Sequence, residues 1–283
     1  MVDKFKFNIG EIPRERLEKP TKFIGNHSTV LLYEDQPFGS GTFVKCGDHF
    51  GILTAYHVPY NTTKDFNFRP NSPDKLGLAI SNFQHAFYIE MQYLNPHSIG
   101  VPNDKKHGGP DMVFLEILDQ SKLSWIKEYR LFWDIPFEDG VSMIKTCLSN
   151  SDSLWAIAGL PQSMIQEEQP NGNFHRVLGL ESQAFFCGIE APFESDGFDY
   201  IEMKANYESK DPIPYCFKGI SGGGLWKIPM SITEKNLDSF KFGEPALCGL
   251  QFCQTPLEGN YRRLRCHGCK SINSLFTKVL EDG

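Results

Sequence analysis

No stretch of the 283-residue sequence approaches the roughly 18 consecutive apolar residues that a membrane-crossing helix needs. The opening segment, MVDKFKFNIGEIPRERLEKP, alternates charges with single apolar residues and lacks the apolar centre of a secretory signal. These absences predict a cytoplasmic protein with no membrane partner. An excess of basic residues is missing too. The 28 Lys and Arg against 35 Asp and Glu leave a net charge of −7, the reverse of the footprint that nucleic-acid phosphates attract. No nucleic-acid partner is expected. Cys266 and Cys269 form one C-x-x-C, but no second pair stands at zinc-finger spacing, so two ligands are all it offers. Neither a metal nor a cofactor is expected. With the other six cysteines (46, 147, 187, 216, 248 and 253) they are read as free thiols, as a reducing compartment dictates.

What the chain does have is Phe (23), Gly (25) and Pro (18), a mixture that favours short strands joined by turns. Strand-like pieces fall at 28–34, 39–47, 49–56, 85–94 and 112–118. A second series falls at 140–148, 153–161, 175–189, 198–207, 222–228, 245–253 and 261–267. CGDHFG reads as a hairpin tip, SWIKEYRLF as a short helix, and 59–80 as a polar loop. Residues 272, 275, 276, 279 and 280 give the final segment the apolar stripe of an amphipathic helix. The fold class expected is all-β: two six-stranded antiparallel β-barrels and a C-terminal helix. Residues 1–25 would form an extension, 26–135 the first barrel and 136–283 the second. The connections are too short and polar for alternating α/β organisation.

The chemistry concentrates in CFKGISGGGLWKI, residues 216–228. Serine needs a base to take its proton, and acyl transfer needs donors for the oxyanion. Glycine at 219 permits a turn in which the N–H groups of Gly219 and Ser221 face one point, with the Ser221 hydroxyl beside them. For the base, His57 has the most suitable context, because ILTAYHVPY runs an apolar strand into a turn. The imidazole then needs a carboxylate to fix its tautomer. Asp111 leads into the apolar run MVFLEIL, and Asp104 lies seven residues upstream as a second candidate.

Taken together, GSGTFV…GILTAYHV, GGPDMVFLEI, GISGGGLW and ALCGLQFC resemble the chymotrypsin-like serine peptidases over roughly residues 26–280. The resemblance implies a serine endopeptidase with a His57–Asp111–Ser221 triad, working through an acyl-enzyme on a protein or peptide substrate. The oxyanion hole would come from Gly219 and Ser221. Substrate contacts would come from Tyr215, Cys216 and Lys218 before the serine, and from the wall strand around Phe252, Cys253 and Gln254. Ile220 stands where members activated by cleavage carry an acid, Tyr56 where alanine is usual, and Val113 where alanine is common. With the proteolytic switch absent, a regulatory protein partner is expected, in a stress or antiviral defence setting.

Two other readings stay open at this point. GISGG also satisfies the G-x-S-x-G of α/β-hydrolases, where Asp238 and His267 would have to complete the triad. The chain could instead be a catalytically silent binding module on a peptidase fold. The basic cluster Arg262, Arg263, Arg265, His267 and Lys270 is read as a solvated strand face.

Overall fold

The computed structural model describes residues 12–61, 74–80, 86–99, 110–136, 147, 152–164, 183–186, 188–190, 192–207, 214, 216–232 and 240–282. The expected strand at 140–148 lies outside these residues apart from Cys147, as do residues 175–182 and 187 of the strand expected at 175–189.

The protein is mostly β, with 51% of residues in strands, arranged as one half-barrel and one nearly closed barrel. The first sheet contains β1 (Ser28–Tyr33), β2 (Gln36–Cys46), β3 (His49–Thr54), β4 (Lys75–Ala79), β5 (Phe87–Glu90), β6 (Leu94–Ser98) and β7 (Val113–Ile117). They run in the order β5-β4-β1-β2-β3-β7-β6, and the two-residue β8 (Trp133–Asp134) lies parallel to β2. The second contains β9 (Ser153–Gly159), β10 (Gln183–Phe186), β11 (Gly188–Ile189), β12 (Phe193–Ser195), β13 (Phe198–Asn206), β14 (Gly224–Ile232), β15 (Phe240–Phe242), β16 (Ala246–Gln254) and β17 (Tyr261–Gly268). Its path is β10-β9-β14-β16-β17-β13-β11, with β11 curling back beside β9.

Each sheet thus exceeds six strands, because turns divide the outer pieces: β11 and β12 both pair with the single strand β13. The segment 59–80, expected to be loop, contributes β4. Its Leu76 and Leu78 are buried, and Leu78 and Gly77 pair with Leu31 and Leu32 of β1. Two apolar residues in a polar segment were too weak a pattern to mark it.

Four α-helices stand among the described elements: α1 (Arg14–Asn26), α2 (His57–Asn61), α3 (Gln120–Tyr129) and α4 (Cys269–Asp282). Helix α1 packs on the body. Phe23 of α1 packs edge-on against Trp133 and Trp226, one ring from each sheet. Asp119 caps α3 by accepting from the Ser121 and Lys122 N–H groups at 2.8 and 3.2 Å. Asp199 does the same for α4 from a neighbouring strand, accepting from the N–H groups of Lys270 (3.1 Å) and Ser271 (2.7 Å). The predicted stripe of α4 faces inward: Ile272, Leu275, Phe276 and Val279 are fully buried and Leu280 partly so. Phe276 reaches Phe114 of the first sheet at 4.9 Å, and the Lys278 Nζ donates to the Ser98 carbonyl. Burial of four such side chains is worth about 1.5–3 kcal/mol each, so α4 locks the two sheets together.

Register brings the chemistry to the seam. In the β3–β7 pair Thr54 lies opposite Val113, so the chain leaving β3 and the chain entering β7 emerge at one end. His57 and Asp111 sit just beyond those residues.

Candidate active site

His57 is the first residue of α2, and Asp111 precedes β7. The carboxylate grips His57 twice: Oδ1 accepts the His57 backbone N–H at 2.8 Å, and Oδ2 lies 2.6 Å from Nδ1. The Asp111 side chain is 7% exposed and that of His57 32%, so the imidazole reaches solvent while the carboxylate is nearly sealed off. Bonding through Nδ1 sets the tautomer with the proton there and leaves Nε2 as the acceptor. Asp104 falls outside the described residues.

Ser221 lies in a loop built from two consecutive turns. The Ile220 N–H donates to the Phe217 carbonyl at 3.1 Å, and the Gly223 N–H to the Ile220 carbonyl at 2.8 Å. Glycine occupies the third position of both, at φ 98° (Gly219) and 90° (Gly222), as a type II turn requires. The loop is pinned to the first sheet. The Ser221 carbonyl accepts from the Ser40 N–H at 2.9 Å, and a methyl placed on Gly39 would meet both Val58 and that carbonyl. Val58 follows His57, so Ser221 is held beside the start of α2.

The loop's peptide groups divide sharply. The carbonyls of Lys218, Gly219, Ile220 and Ser221 all accept hydrogen bonds: from Gln162 N–H (2.7 Å), Ser40 Oγ (2.8 Å), Gly223 N–H and Ser40 N–H. The N–H groups of Ile220, Gly222 and Gly223 are used as donors. Those of Gly219 and Ser221 meet no acceptor among the described residues. In a planar trans peptide the N–H points opposite its carbonyl, so the Gln162 bond turns the Gly219 N–H away from Gln162.

The expected substrate residues divide as well. Tyr215 lies outside the described residues. Lys218 is exposed. Cys216 and Gln254 meet, with Gln254 Nε2 donating to Cys216 Sγ at 3.6 Å and Gln254 Oε1 accepting the Phe217 N–H at 3.0 Å. The Cys216 thiol is pushed below its usual range, chiefly by the Lys218 backbone N–H and by Gln254. Cys253 is half-buried, and burial pushes its thiol up. Phe252 turns inward, 4% exposed and stacked on His267 at 4.4 Å, at the irregularity in register between Gln251 and Cys253. Beyond Gln251, the edge of β16 away from β17 meets no strand among the described residues.

Three residues were missed. Ser40, Gln162 and His267 carry no motif, though a serine between two glycines inside a strand pattern was a signal available at Ser40. His267, assigned to a solvated face, is fully buried. Its Nε2 accepts the Asp111 backbone N–H at 3.0 Å, and burial pushes its pKa down to about 4. The rest of the basic cluster is a solvated face: Arg263 pairs with Glu190 and Glu258, and Arg265 with Glu202. The α/β-hydrolase alternative fails on the antiparallel fold, and its required histidine is the one bound to Asp111.

Among the described residues no disulfide joins the seven cysteines, and no three His, Cys, Asp or Glu side chains converge on a metal position. No helix among them is long and apolar enough to cross a membrane. No protein-family model and no curated protein matches the chain.

Proposed function

We propose that this protein is a serine endopeptidase of the chymotrypsin-like kind, with Ser221 as nucleophile, His57 as general base and Asp111 as its orienting carboxylate. The observation that carries the reading is the pair of unused N–H groups, Gly219 and Ser221, in a loop whose surrounding peptide groups are otherwise bonded. Unused donors on either side of one hydroxyl are what a developing oxyanion requires. The Asp111 grip on His57 supports the same conclusion.

The steps follow from these groups. Ser221 Oγ attacks the carbonyl carbon of a peptide bond while its proton passes to His57 Nε2. The tetrahedral oxyanion lies against the Gly219 and Ser221 N–H groups. Collapse breaks the C–N bond, and His57 hands its proton to the departing amine. Water then repeats the sequence on the acyl-enzyme and restores Ser221. The open edge of β16 past Gln251 suits an extended peptide added as a strand, so the substrate is a protein or peptide. A regulatory partner in a stress or antiviral defence setting remains part of the proposal, since buried Ile220 leaves no acid for a proteolytic switch.

A fluorophosphonate probe tests the reading. Labelling of the intact protein that disappears in both Ser221→Ala and His57→Ala is expected. A folded protein that stays unlabelled, with cellular extract added, would instead be a binding module on this fold.

A further inference from the structure

We propose that Ser40 is a positioning residue that holds the Gly219–Ser221 loop in its donor-presenting form from the opposite sheet, so that this loop needs no activating event. The inference rests on the peptidase reading and concerns how that site is kept assembled.

Ser40 lies on β2 and is fully buried, and every polar group it has is engaged. Its Oγ donates to the Gly219 carbonyl at 2.8 Å and accepts the Leu160 N–H at 3.2 Å. Its backbone N–H donates to the Ser221 carbonyl at 2.9 Å, and its carbonyl accepts from Thr54 Oγ1 at 2.7 Å. One donor and two acceptor positions are all a hydroxyl owns, and this one spends its donor on the loop.

That bond braces the turn that carries the oxyanion donors. Gly219 joins two peptide planes and has the least intrinsic barrier to rotating between them. The plane before it is fixed by the Gln162 N–H on the Lys218 carbonyl, and the plane after it by Ser40 Oγ on the Gly219 carbonyl. With Ser40 Oγ removed, the second plane keeps only the Ile220 N–H bond to the Phe217 carbonyl, and the turn that aims the Gly219 N–H at the reacting centre is left resting on the Gln162 bond. In peptidases activated by cleavage, an acid next to the serine supplies such a clamp only after a new N-terminus forms. Here Ile220 is at that place, buried and apolar, and the clamp is a neutral hydroxyl already inside the fold. Any partner therefore acts on access to the site and not on the loop.

Ser40→Ala and Ser40→Cys test this, the second retaining a weaker donor should the first fold poorly. The readouts are the fluorophosphonate labelling rate against probe concentration and the Gly219 amide resonance in 15N-glycine-labelled protein. Expected are partner-independent labelling of the wild type and a maximal rate about 10²-fold lower in Ser40→Ala, with the half-saturating concentration little changed. Ser40→Cys should fall between them, and the Gly219 amide should broaden or split in step. A Ser40→Ala protein that is folded and labels at the wild-type rate overturns the inference, as does a wild type that labels only after a partner reorders the Gly219 amide. If the wild type never labels but Ser40→Ala still disturbs that amide, the clamp stands and the peptidase reading falls.

Discussion

His267 Nε2 accepts the backbone N–H of Asp111 at 3.0 Å, joining the last strand of the second sheet to the carboxylate that orients His57. Since Nε2 accepts, the proton lies on Nδ1, and that atom has no hydrogen-bond partner among the described residues. The ring is neutral, clamped between Phe252 at 4.4 Å and Tyr200 at 5.1 Å. A protonated ring could not accept the Asp111 N–H, so this contact between the sheets is itself sensitive to acid.

Burial holds the His267 pKa at about 4, below the ordinary 6.5, so the unfolded chain takes up the proton first as pH falls. Its contribution to stability is full above pH 6.5 and is lost as pH drops from 6.5 toward 4, by roughly 3 kcal/mol in total. His27, also pushed down by burial, adds in the same direction. His267→Gln, which can still accept the N–H but does not titrate, should flatten the dependence between those pH values. Chemical denaturation at pH 4.5, 5.5 and 7 measures it, and unchanged slopes would reject the assignment.

Asp111→Asn should leave the fold largely in place and reduce turnover by about 10⁴-fold, since an amide no longer holds the His57 tautomer. The bond from the His57 N–H goes to Oδ1, an oxygen the amide retains, and the bond to His267 is made by the residue 111 backbone N–H. Near-wild-type turnover with a labelled peptide would move the carboxylate role elsewhere, Asp104 being the next to test.

Gly219→Ala should damage both folding and catalysis. At φ 98° an L-residue costs about 1–2 kcal/mol, and the new methyl would stand 2.7 Å from the Leu160 carbonyl. Loss of one oxyanion donor adds about 10²–10³ in rate. Unfolding curves and turnover on the folded fraction separate the two effects. Full turnover in the folded fraction would remove Gly219 from the hole.

Among the cysteines of the described residues, Cys216 should be the first alkylated. It is half-exposed and its thiolate is favoured by the Lys218 N–H, whereas Cys46, Cys147, Cys248, Cys266 and Cys269 are buried. Brief iodoacetamide treatment at neutral pH with peptide mass mapping gives the order. Equal modification of Cys253, whose thiol is pushed up, would contradict it.

Local pattern was enough for the all-β class, for most strands and for α4, whose stripe at 272, 275, 276 and 279 matches its buried face. It also nominated His57, Asp111 and Ser221 as candidates, because GISGG and TAYHV express backbone demands that neighbours in sequence satisfy. It could not supply the count of strands, since short edge pieces such as β11 and β12 exist only by pairing with β13. Nor could it place His267. In YRRLRCHG the residues 264 and 266 already define an inward face, and alternation sends His267 outward. It is buried because the other face of β17 is covered at that end by Phe252, Tyr200 and the chain carrying Asp111.

Local sequence therefore determined which turns form and which residues carry reactive groups, since those depend on φ preferences and periodicity within a few residues. Tertiary structure alone decided that Ser40 meets Gly219 across 179 positions and His267 meets Asp111 across 156. Such bonds arise where two separately formed sheets pack together, and no local preference encodes which buried donor will find which acceptor there.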